Sequence, residues 1–175
     1  STDFHFIDSG LSYDGTATTS ITGLEHLEGQ TVQILADGST HADKIVSSGA
    51  ITLDRSSKKV KVGLGYNSVL QTMRIEGGSA EGTGQGKIKR ISKVVLRLFN
   101  TVGAKCGPSL TNLETVPFRT TSSDMDSPVS TLLAGDKTVE FTDDYNSDGF
   151  IFVKQDQPLP LSLLALYPTF VISDG

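Results

Sequence analysis

Residues 22–66, TGLEHLEGQTVQILADGSTHADKIVSSGAITLDRSSKKVKVGLGY, decide the fold of this chain. Three runs in this stretch, TVQILA, AITLD and KVKVGLGY, have the composition of β-strands, and glycines separate them. In the last run Val60 and Val62 alternate with lysines, which predicts a strand with one buried face. The Asp-Gly pair at 37–38 is a strong hairpin signal. A glycine-bounded LEHLE segment has room for about one helical turn.

The chain on either side continues the β pattern. TATTSIT at 16–22 is rich in β-branched residues and predicts a strand after the turn SYDG. The alternating runs KTVEF and GFIFVK flank DDYNSD and predict a hairpin. KIKRISKVVLRLFNT at 87–101 fits a helical stripe or a strand, and its β-branched content favours the strand. Turn signals recur about every 8–12 residues, which predicts an all-β sandwich or barrel.

Residues 77–86, GGSAEGTGQG, interrupt this pattern. The segment has five glycines and no large apolar side chain, so it cannot pack a core. It predicts a loop or a boundary between two subdomains. Its end approaches a phosphate-binding loop, but the first glycine of that motif falls at Glu81 and Lys87 is followed by Ile88. The phosphate-binding motif is therefore not met.

The charge of the chain argues against a nucleic-acid-binding surface. Its formal net charge is −5 at pH 7, whereas such surfaces are basic. One basic cluster is the exception, and it predicts a contact with DNA or with another subunit; a solvated face is the alternative. On a strand, Lys87, Lys89 and Lys93 are expected to share one face. The cluster consists of Lys87, Lys89, Arg90 and Lys93, with Arg97 beyond it.

Cysteine content and hydropathy exclude two further classes of protein. The single cysteine, Cys106, excludes an intrachain disulfide framework and a Cys-rich zinc site, and we expect it to be a small, partly buried residue. The longest apolar run is LSLLALYPTFVI at 161–172. It is shorter than the roughly 18 residues expected of a membrane-spanning helix. We therefore expect no membrane insertion.

Asp144, Asn146 and Asp148, followed by Gly149, match the start of a calcium-binding loop. At this spacing three side-chain oxygens can converge on one ion. The position of the closing glutamate, however, is occupied by Gln155. Asp and Asn are also the residues that hairpin turns prefer. A turn and a calcium site therefore both remain open, and the turn is favoured.

No pattern in the chain predicts catalysis. The three histidines share no metal-ligand spacing, and no G-x-S-x-G elbow is present. Several acids have the chemistry of a glycosidase pair, but nothing in the sequence shows that two of them converge. We therefore predict no catalytic residue and no cofactor. The residues considered are His5, His26 and His41 as bases or ligands, and Asp8, Asp14, Glu25 and Glu28 as paired acids.

The runs GLEHLEGQTVQILADGS, GAITLD and KVKVGLGY, in this order, resemble a motif series of tail structural proteins of double-stranded DNA bacteriophages. These are the nozzle or tail-hub proteins of short-tailed phages, also called tail tubular protein B or DNA-stabilisation proteins. A second cluster resembles the C-terminal end of the same family: FR at 118–119, AGD at 134–136 and DGFIFVKQDQPLPLSLLAL at 148–166. The similarity spans most of the chain, which is much shorter than a complete nozzle protein.

The resemblance implies the C-terminal portion of a larger, non-enzymatic virion protein in the phage tail. Copies of the chain, often six, would form a ring with other tail or connector proteins, and this ring would channel or retain the genome. A small β-barrel module over 22–76 would be inserted in, or followed by, a second antiparallel β-sandwich or propeller-like domain made of 1–21 and 77–175. The motif residues would specify tight backbone turns at Gly23, Gly29, Asp37, Gly38, Gly49, Gly63 and Gly65.

Two other functions remain open from the sequence. A receptor- or carbohydrate-binding module of a phage tail would use exposed aromatic residues on loops, and the candidates are Tyr13, Tyr66 and Tyr145. The absence of tryptophan argues mildly against sugar stacking. A hydrolase of cell-wall or capsule polymer would need two carboxyl groups about 5–9 Å apart in a pocket.

Overall fold

The predicted all-β class is confirmed. The computed structural model describes residues 6–77, 82–118, 132–142 and 145–173. These residues form eleven strands and one short 3-10 turn. All strand pairings are antiparallel. The chain divides into two compact units. No helix among the described residues has the length and apolarity to cross a membrane.

Unit 1 comprises Ser1–Asn67, Phe118–Leu132 and Asp156–Pro160. Its strands are β1 (Asp8–Thr22), β2 (Thr31–Ala36), β3 (Ser39–Ile45) and β4 (Ala50–Leu64), and the 3-10 turn Glu25–Leu27 lies between β1 and β2. They form one four-stranded sheet in the order β1-β4-β2-β3.

The inward side chains of β2 and β4 build the core of unit 1. Val60 and Val62 are 1% and 0% exposed, as their alternation with lysines predicts. The 3-10 turn adds Leu27. Burying an aliphatic side chain of this kind contributes about 1.5–3 kcal/mol before entropy is counted. The whole cluster consists of Ile21, Leu24, Leu27, Val32, Ile34, Ala36, Val46, Ile51, Leu53, Val60 and Val62.

The prediction of a closed barrel is not met by the described residues of unit 1, because β1 and β3 are the two edges of an open sheet. β3 meets the first half of β4 through side chains rather than through a ladder. The N–H of Asp54 donates to Nε2 of His41 at 3.0 Å, and the ammonium of Lys44 lies 2.6 Å from a carboxylate oxygen of Asp54. A closed barrel would need a ladder of backbone hydrogen bonds in place of these side-chain contacts.

The structure also divides the chain differently from the prediction. Residues 1–21 were expected with the second domain, but β1 pairs with β4 from Asp8 to Thr22. At the other end, unit 1 stops at Asn67, and the following strand belongs to unit 2. Strand pairing overrides the sequence boundary because the backbone N–H and C=O groups of β4 point to both of its edges and need a hydrogen-bonding strand on each.

Unit 2 comprises Ser68–Pro117, Leu133–Gln155 and Leu161–Gly175. Its strands are β5 (Ser68–Gln71), β6 (Ile88–Thr101), β7 (Lys105–Ser109), β8 (Asn112–Thr115), β9 (Leu133–Glu140), β10 (Phe152–Gln155) and β11 (Leu163–Ser173). They form two sheets, in the orders β5-β10-β7-β8 and β11-β6-β9. The segment 87–101, which fitted a helix or a strand, is therefore the central strand of a sheet.

The hairpin predicted from KTVEF and GFIFVK is wrong. KTVEF contributes to β9, which pairs with β6, whereas GFIFVK contributes to β10, which pairs with β5 and β7. Between them, Asn146 pairs with β6 instead, because Asn146 and Lys89 exchange backbone hydrogen bonds of 2.7 and 2.8 Å.

Candidate functional site

The segment after the 3-10 turn is held by the carboxylate of Glu28. It accepts hydrogen bonds from the N–H groups of Ser48 and Gly49, at 2.8 and 2.7 Å. Both donors lie in the β3–β4 connection and have φ angles of 55° and 66°. A Cβ on Gly49 would lie 2.9 Å from the side chain of Glu25, so only glycine fits without a shift. Glu28 thus ties the LEHLE segment to a distant loop.

A second carboxylate, that of Asp37, holds the next turn. Asp37 and Gly38, with φ angles of 51° and 83°, form the two-residue connection between β2 and β3 that Asp-Gly predicts. The carboxylate accepts the N–H groups of Lys58 and Lys59 at 3.1 and 2.9 Å. The N–H of Asp37 donates to the carbonyl of Lys59 at 2.7 Å. We call these two features, at Glu28 and at Asp37, the carboxylate-held turns.

The other glycines of the motif series also lie at tight positions. Gly23 and Gly29 have φ angles of 88° and 75°. A Cβ on Gly63 would lie 2.6 Å from the carbonyl oxygen of Asp8, and one on Gly65 would overlap the side chain of Gln33. The glycines in the runs that carry the resemblance are therefore required by the backbone conformation and by close neighbours.

The histidines that the structure describes are also bonded to backbone. Nε2 of His26 lies 2.9 Å from the carbonyl oxygen of Ser9. Nδ1 of His41 lies 2.8 Å from the carbonyl oxygen of Ala42, while Nε2 accepts the N–H of Asp54. This arrangement requires the Nδ1–H tautomer, because Nε2 must be an acceptor. His5 lies outside the described residues.

Three of the four acids weighed as a glycosidase pair make other contacts. Glu28 is engaged by backbone N–H groups, and the side chain of Glu25 packs against Gly49. Asp14 lies 3.4 Å from the ammonium of Lys59. Among the described residues, no group of three or more His, Cys, Asp or Glu residues is placed to hold a metal ion.

The basic cluster does not form the single face that a regular strand predicts. The pairing of β6 with β11 shifts between Lys93–Thr169 and Ile91–Phe170, which makes Ser92 an extra residue in β6. Such a bulge reverses the side-chain phase. Lys89 and Ile91 therefore point inward before it and Val94 after it, while Arg90 and Lys93 are exposed.

Lys89 is the largest departure from the prediction, because its side chain is 0% exposed. Its ammonium donates to the carbonyl oxygens of Lys87 and Ser147, at 3.4 and 3.3 Å. Its stem packs beside Gly149, whose Cβ would lie 3.2 Å from Cδ of Lys89. Lys89 therefore cannot contact DNA or another subunit in this structure. It is an internal cation that binds loop carbonyls.

Two exposed cations of β6, Lys93 and Arg97, face acids on β9. The guanidinium of Arg97 donates two hydrogen bonds of 2.8 Å to the carboxylate of Asp136, which lowers the pKa of that carboxyl. In the register of the two strands, Lys93 lies opposite Glu140. The guanidinium of Arg97 also lies 5.1 Å from the ring centre of Tyr167. Lys93 and Arg97 therefore each have an acid beside them on their own sheet.

The proposed calcium loop contains a turn in its described part. The side-chain oxygen of Asn146 accepts the N–H groups of Asp148 and Gly149, at 3.1 and 2.7 Å. A carboxylate oxygen of Asp148 accepts Nε of Arg74 at 3.0 Å and lies 2.8 Å from its Nη2. Asp144 lies outside the described residues. These contacts favour the turn.

In the described part of the glycine-rich loop, the carboxylate of Glu76 binds the hydrogen-bond donors that a phosphate would need. The carboxylate of Glu76 accepts the N–H of Gly84 and the hydroxyl of Thr83, both at 2.8 Å, and these bonds lower the pKa of Glu76. An internal anion on these groups disfavours a bound phosphate. Residues 78–81 lie outside the described part. Cys106 is buried, and burial raises the pKa of its thiol to about 12, which makes it a poor nucleophile.

The aromatic residues weighed for ligand binding are divided between the two units. Tyr13 is half-buried against the core of unit 1, and its hydroxyl donates to the carbonyl of Thr16 at 2.8 Å. Tyr66 and Tyr145 are 46% and 47% exposed but belong to different units. A pocket of about 230 Å³ lies on unit 1, below the roughly 300 Å³ at which small-molecule sites begin. It is lined by Ser12, Tyr13, Asp14, Leu35, Gly38, Lys59, Val60 and Lys61.

Sequence reasoning missed the most specific polar contacts. It weighed Glu28 only as a member of a glycosidase pair and gave Glu76 no role. The available signal was an acid next to a glycine turn, because such turns leave N–H groups unpaired. Lys89 gave no such signal, since the bulge at Ser92 appears only when β6 pairs with β11.

Comparison with known proteins adds no family to this picture. No protein-family model matches the chain, and no curated protein shows significant similarity to it. The fold and contacts therefore define the class: an all-β protein of two units whose described polar side chains mainly hold its own loops.

Proposed function

We propose that this chain is a non-enzymatic structural subunit of a bacteriophage tail, of the nozzle or tail-hub type. Copies of it would form a ring, proposed as a hexamer, that joins other tail or connector proteins and surrounds the passing genome. The observation that carries this proposal is the role of the motif residues. Glu28 and Asp37, two of the acids of the resembling runs, accept the backbone N–H groups of Gly49 and Lys59, which begin the other two runs. Each also accepts the N–H group of the residue just before that run, Ser48 or Lys58.

Such contacts suit a structural role rather than a catalytic one. A carboxylate that accepts two backbone N–H groups fixes a loop without exposing a reactive group. Most of the core of unit 1 and both carboxylates of the carboxylate-held turns lie within the runs that resemble tail proteins. A ring subunit needs rigid modules, because its contacts must repeat with the same geometry in every copy.

The surface charge supports a conduit that does not retain DNA. The net charge of −5 repels phosphate, and Arg97, the best-placed cation of β6, is paired with Asp136. The exposed members of the cluster, Arg90 and Lys93, are therefore proposed as a subunit contact rather than as a DNA contact. In this proposal the genome passes the chain and is not bound by it.

The test is the mass and shape of the native particle, measured by light scattering and negative-stain electron microscopy. A ring, together with no DNA shift for either the wild type or Arg90→Ala/Lys93→Ala, is the expected result. A monomer of 18.6 kDa at all concentrations would overturn ring assembly. Capture on a glycan array would then favour a receptor-binding module, and release of sugars from capsule polymer would indicate a hydrolase.

A further inference from the structure

The described sheets have six edge strands, and five of them carry features that prevent pairing with another chain. Edge strands in soluble proteins are protected by charges, bulges or proline. β1 has three register shifts. β3, β8 and β9 carry charges, among them Asp43, Glu114 and Asp136. β11 carries Pro168.

The orientation of Pro168 shows that it protects the open edge of β11. The carbonyl of Ser92 accepts the N–H of Phe141, after β9, and the N–H of Phe99 donates to Ser162, before β11. Because these directions alternate along β6, Val94 points to β9, and its partner Pro168 points away from β6. The missing N–H of Pro168 therefore faces outward, where an added strand would need a donor.

β5 is the exception among these edges. Its sequence, Ser-Val-Leu-Gln, has no charge and no proline, and its register with β10 is unbroken. All four residues are exposed, with Val69 at 49% and Leu70 at 44%. The N–H of Thr72 donates to Ile151, so the backbone groups of Val69 and Gln71 point to the open edge.

We propose that β5 pairs with β5 of a second copy of this chain, antiparallel, about a two-fold axis at Leu70. An antiparallel pair requires outward-pointing residues to lie opposite one another. With the axis at Leu70, Val69 lies opposite Gln71 of the second copy and exchanges backbone hydrogen bonds with it. Leu70 then lies opposite Leu70 of the second copy in a non-hydrogen-bonded pair, where side chains are closest.

The register supports a second copy as the occupant. Registers with Val69 or Gln71 on the axis place Leu70 against Ser68 or Thr72, both of which carry a hydroxyl, so the Leu70 axis buries more apolar surface. Both strands are uncharged, so self-pairing brings no like charges together. A two-fold contact closes on itself, whereas a ring needs a head-to-tail contact. The inference therefore stands or falls separately from the proposed ring.

The test is sedimentation of the full chain over a range of concentrations, with Leu70→Lys and Leu70→Asp. Each variant alone places like charges across the axis and is expected to weaken association roughly tenfold or more. A 1:1 mixture of the two variants is expected to restore it, because lysine then faces aspartate. Only a contact in which position 70 meets itself gives this pattern.

Leu164→Lys is the matched control, since Leu164 is also an exposed leucine on an edge strand, and it is expected to leave association unchanged. Recovery in the mixture also shows that both variants fold. The proposal is overturned if the wild type does not self-associate, if Leu70→Lys associates as the wild type does, or if the mixture stays dissociated. Capture of a different protein by a monomeric wild type would overturn it too.

Discussion

The two units hold their loops with side chains of opposite charge. In unit 1, the carboxylates of Glu28 and Asp37 accept the N–H groups of loops. In unit 2, the ammonium of Lys89 donates to the carbonyls of loops. The carboxylates lie at the surface, whereas Lys89 is completely buried. Because removing a charge from water is costly, the buried ammonium depends more strongly on its loop carbonyls than the exposed carboxylates depend on their donors.

Removal of the buried ammonium is expected to have the largest effect. Lys89→Ala leaves the carbonyls of Lys87 and Ser147 without this donor and opens space beside Gly149, so we expect a loss of about 3 kcal/mol in the free energy of unfolding. Urea titration measures it. Lys93→Ala, on the exposed side of the same strand, is the control and should change stability by less than about 0.5 kcal/mol.

Lys89→Met separates the ammonium from its stem. Methionine retains the packing but donates no hydrogen bond, so we expect about half of the alanine effect. Labelling of the buried Cys106 thiol in native protein should quicken in both Lys89 variants, because that cysteine also lies in unit 2. Full stability of Lys89→Met would show that the stem alone matters, and the contrast between the units would fail.

The next effect tests whether the turn of Glu28 depends on glycine. Gly49→Ala forces a left-handed backbone on alanine and brings Cβ to 2.9 Å from Glu25, so we expect a loss of about 2–3 kcal/mol. Gly29→Ala is the matched control, since its φ is also positive but nothing lies within 4 Å of the added Cβ. It should cost about 1 kcal/mol by thermal unfolding. Equal losses would mean that Glu25 yields without strain.

A smaller effect is expected for the carboxylate itself. Asp37→Ala removes the acceptor of the N–H groups of Lys58 and Lys59, which water can partly replace at this exposed site. We expect a loss of about 1 kcal/mol in urea unfolding. Asp14→Ala removes only the surface ion pair with Lys59 and should cost about half as much or less. A larger loss for Asp14→Ala would reverse the assignment.

These contacts also show what the sequence can predict. The alternation of Val60 and Val62 with lysines and the Asp37-Gly38 pair predicted a strand and a turn, because both signals are local. The burial of Lys89 was not predictable, since it follows from a bulge that exists only when β6 pairs with β11. The separation of β9 from β10 has the same origin: Asn146 bonds to Lys89, far from it in sequence. Contacts between distant segments left no periodic signal.

Glu76 offers the finest test, because it is a carboxylate-held loop within unit 2. The N–H of Gly84 and the hydroxyl of Thr83 lower its pKa from the ordinary 4.5. A lowered folded-state pKa means that the ionised carboxylate stabilises the fold above the unfolded-state value and that this contribution is lost as pH falls through the folded-state pKa. The stability difference between wild type and Glu76→Gln should therefore be present at pH 7 and shrink as pH falls below 4.5.

Thr83→Val is the control for Glu76, because it removes the hydroxyl bond and keeps that of Gly84, the larger cause of the shift. Its unfolding free energy, measured by urea titration from pH 7 to pH 3, should show a pH dependence that is weaker than that of the wild type but not absent. A difference between wild type and Glu76→Gln that is the same at every pH would show that the loop is held by packing. The contrast between the carboxylates of unit 1 and the ammonium of Lys89 in unit 2 would then be sharper.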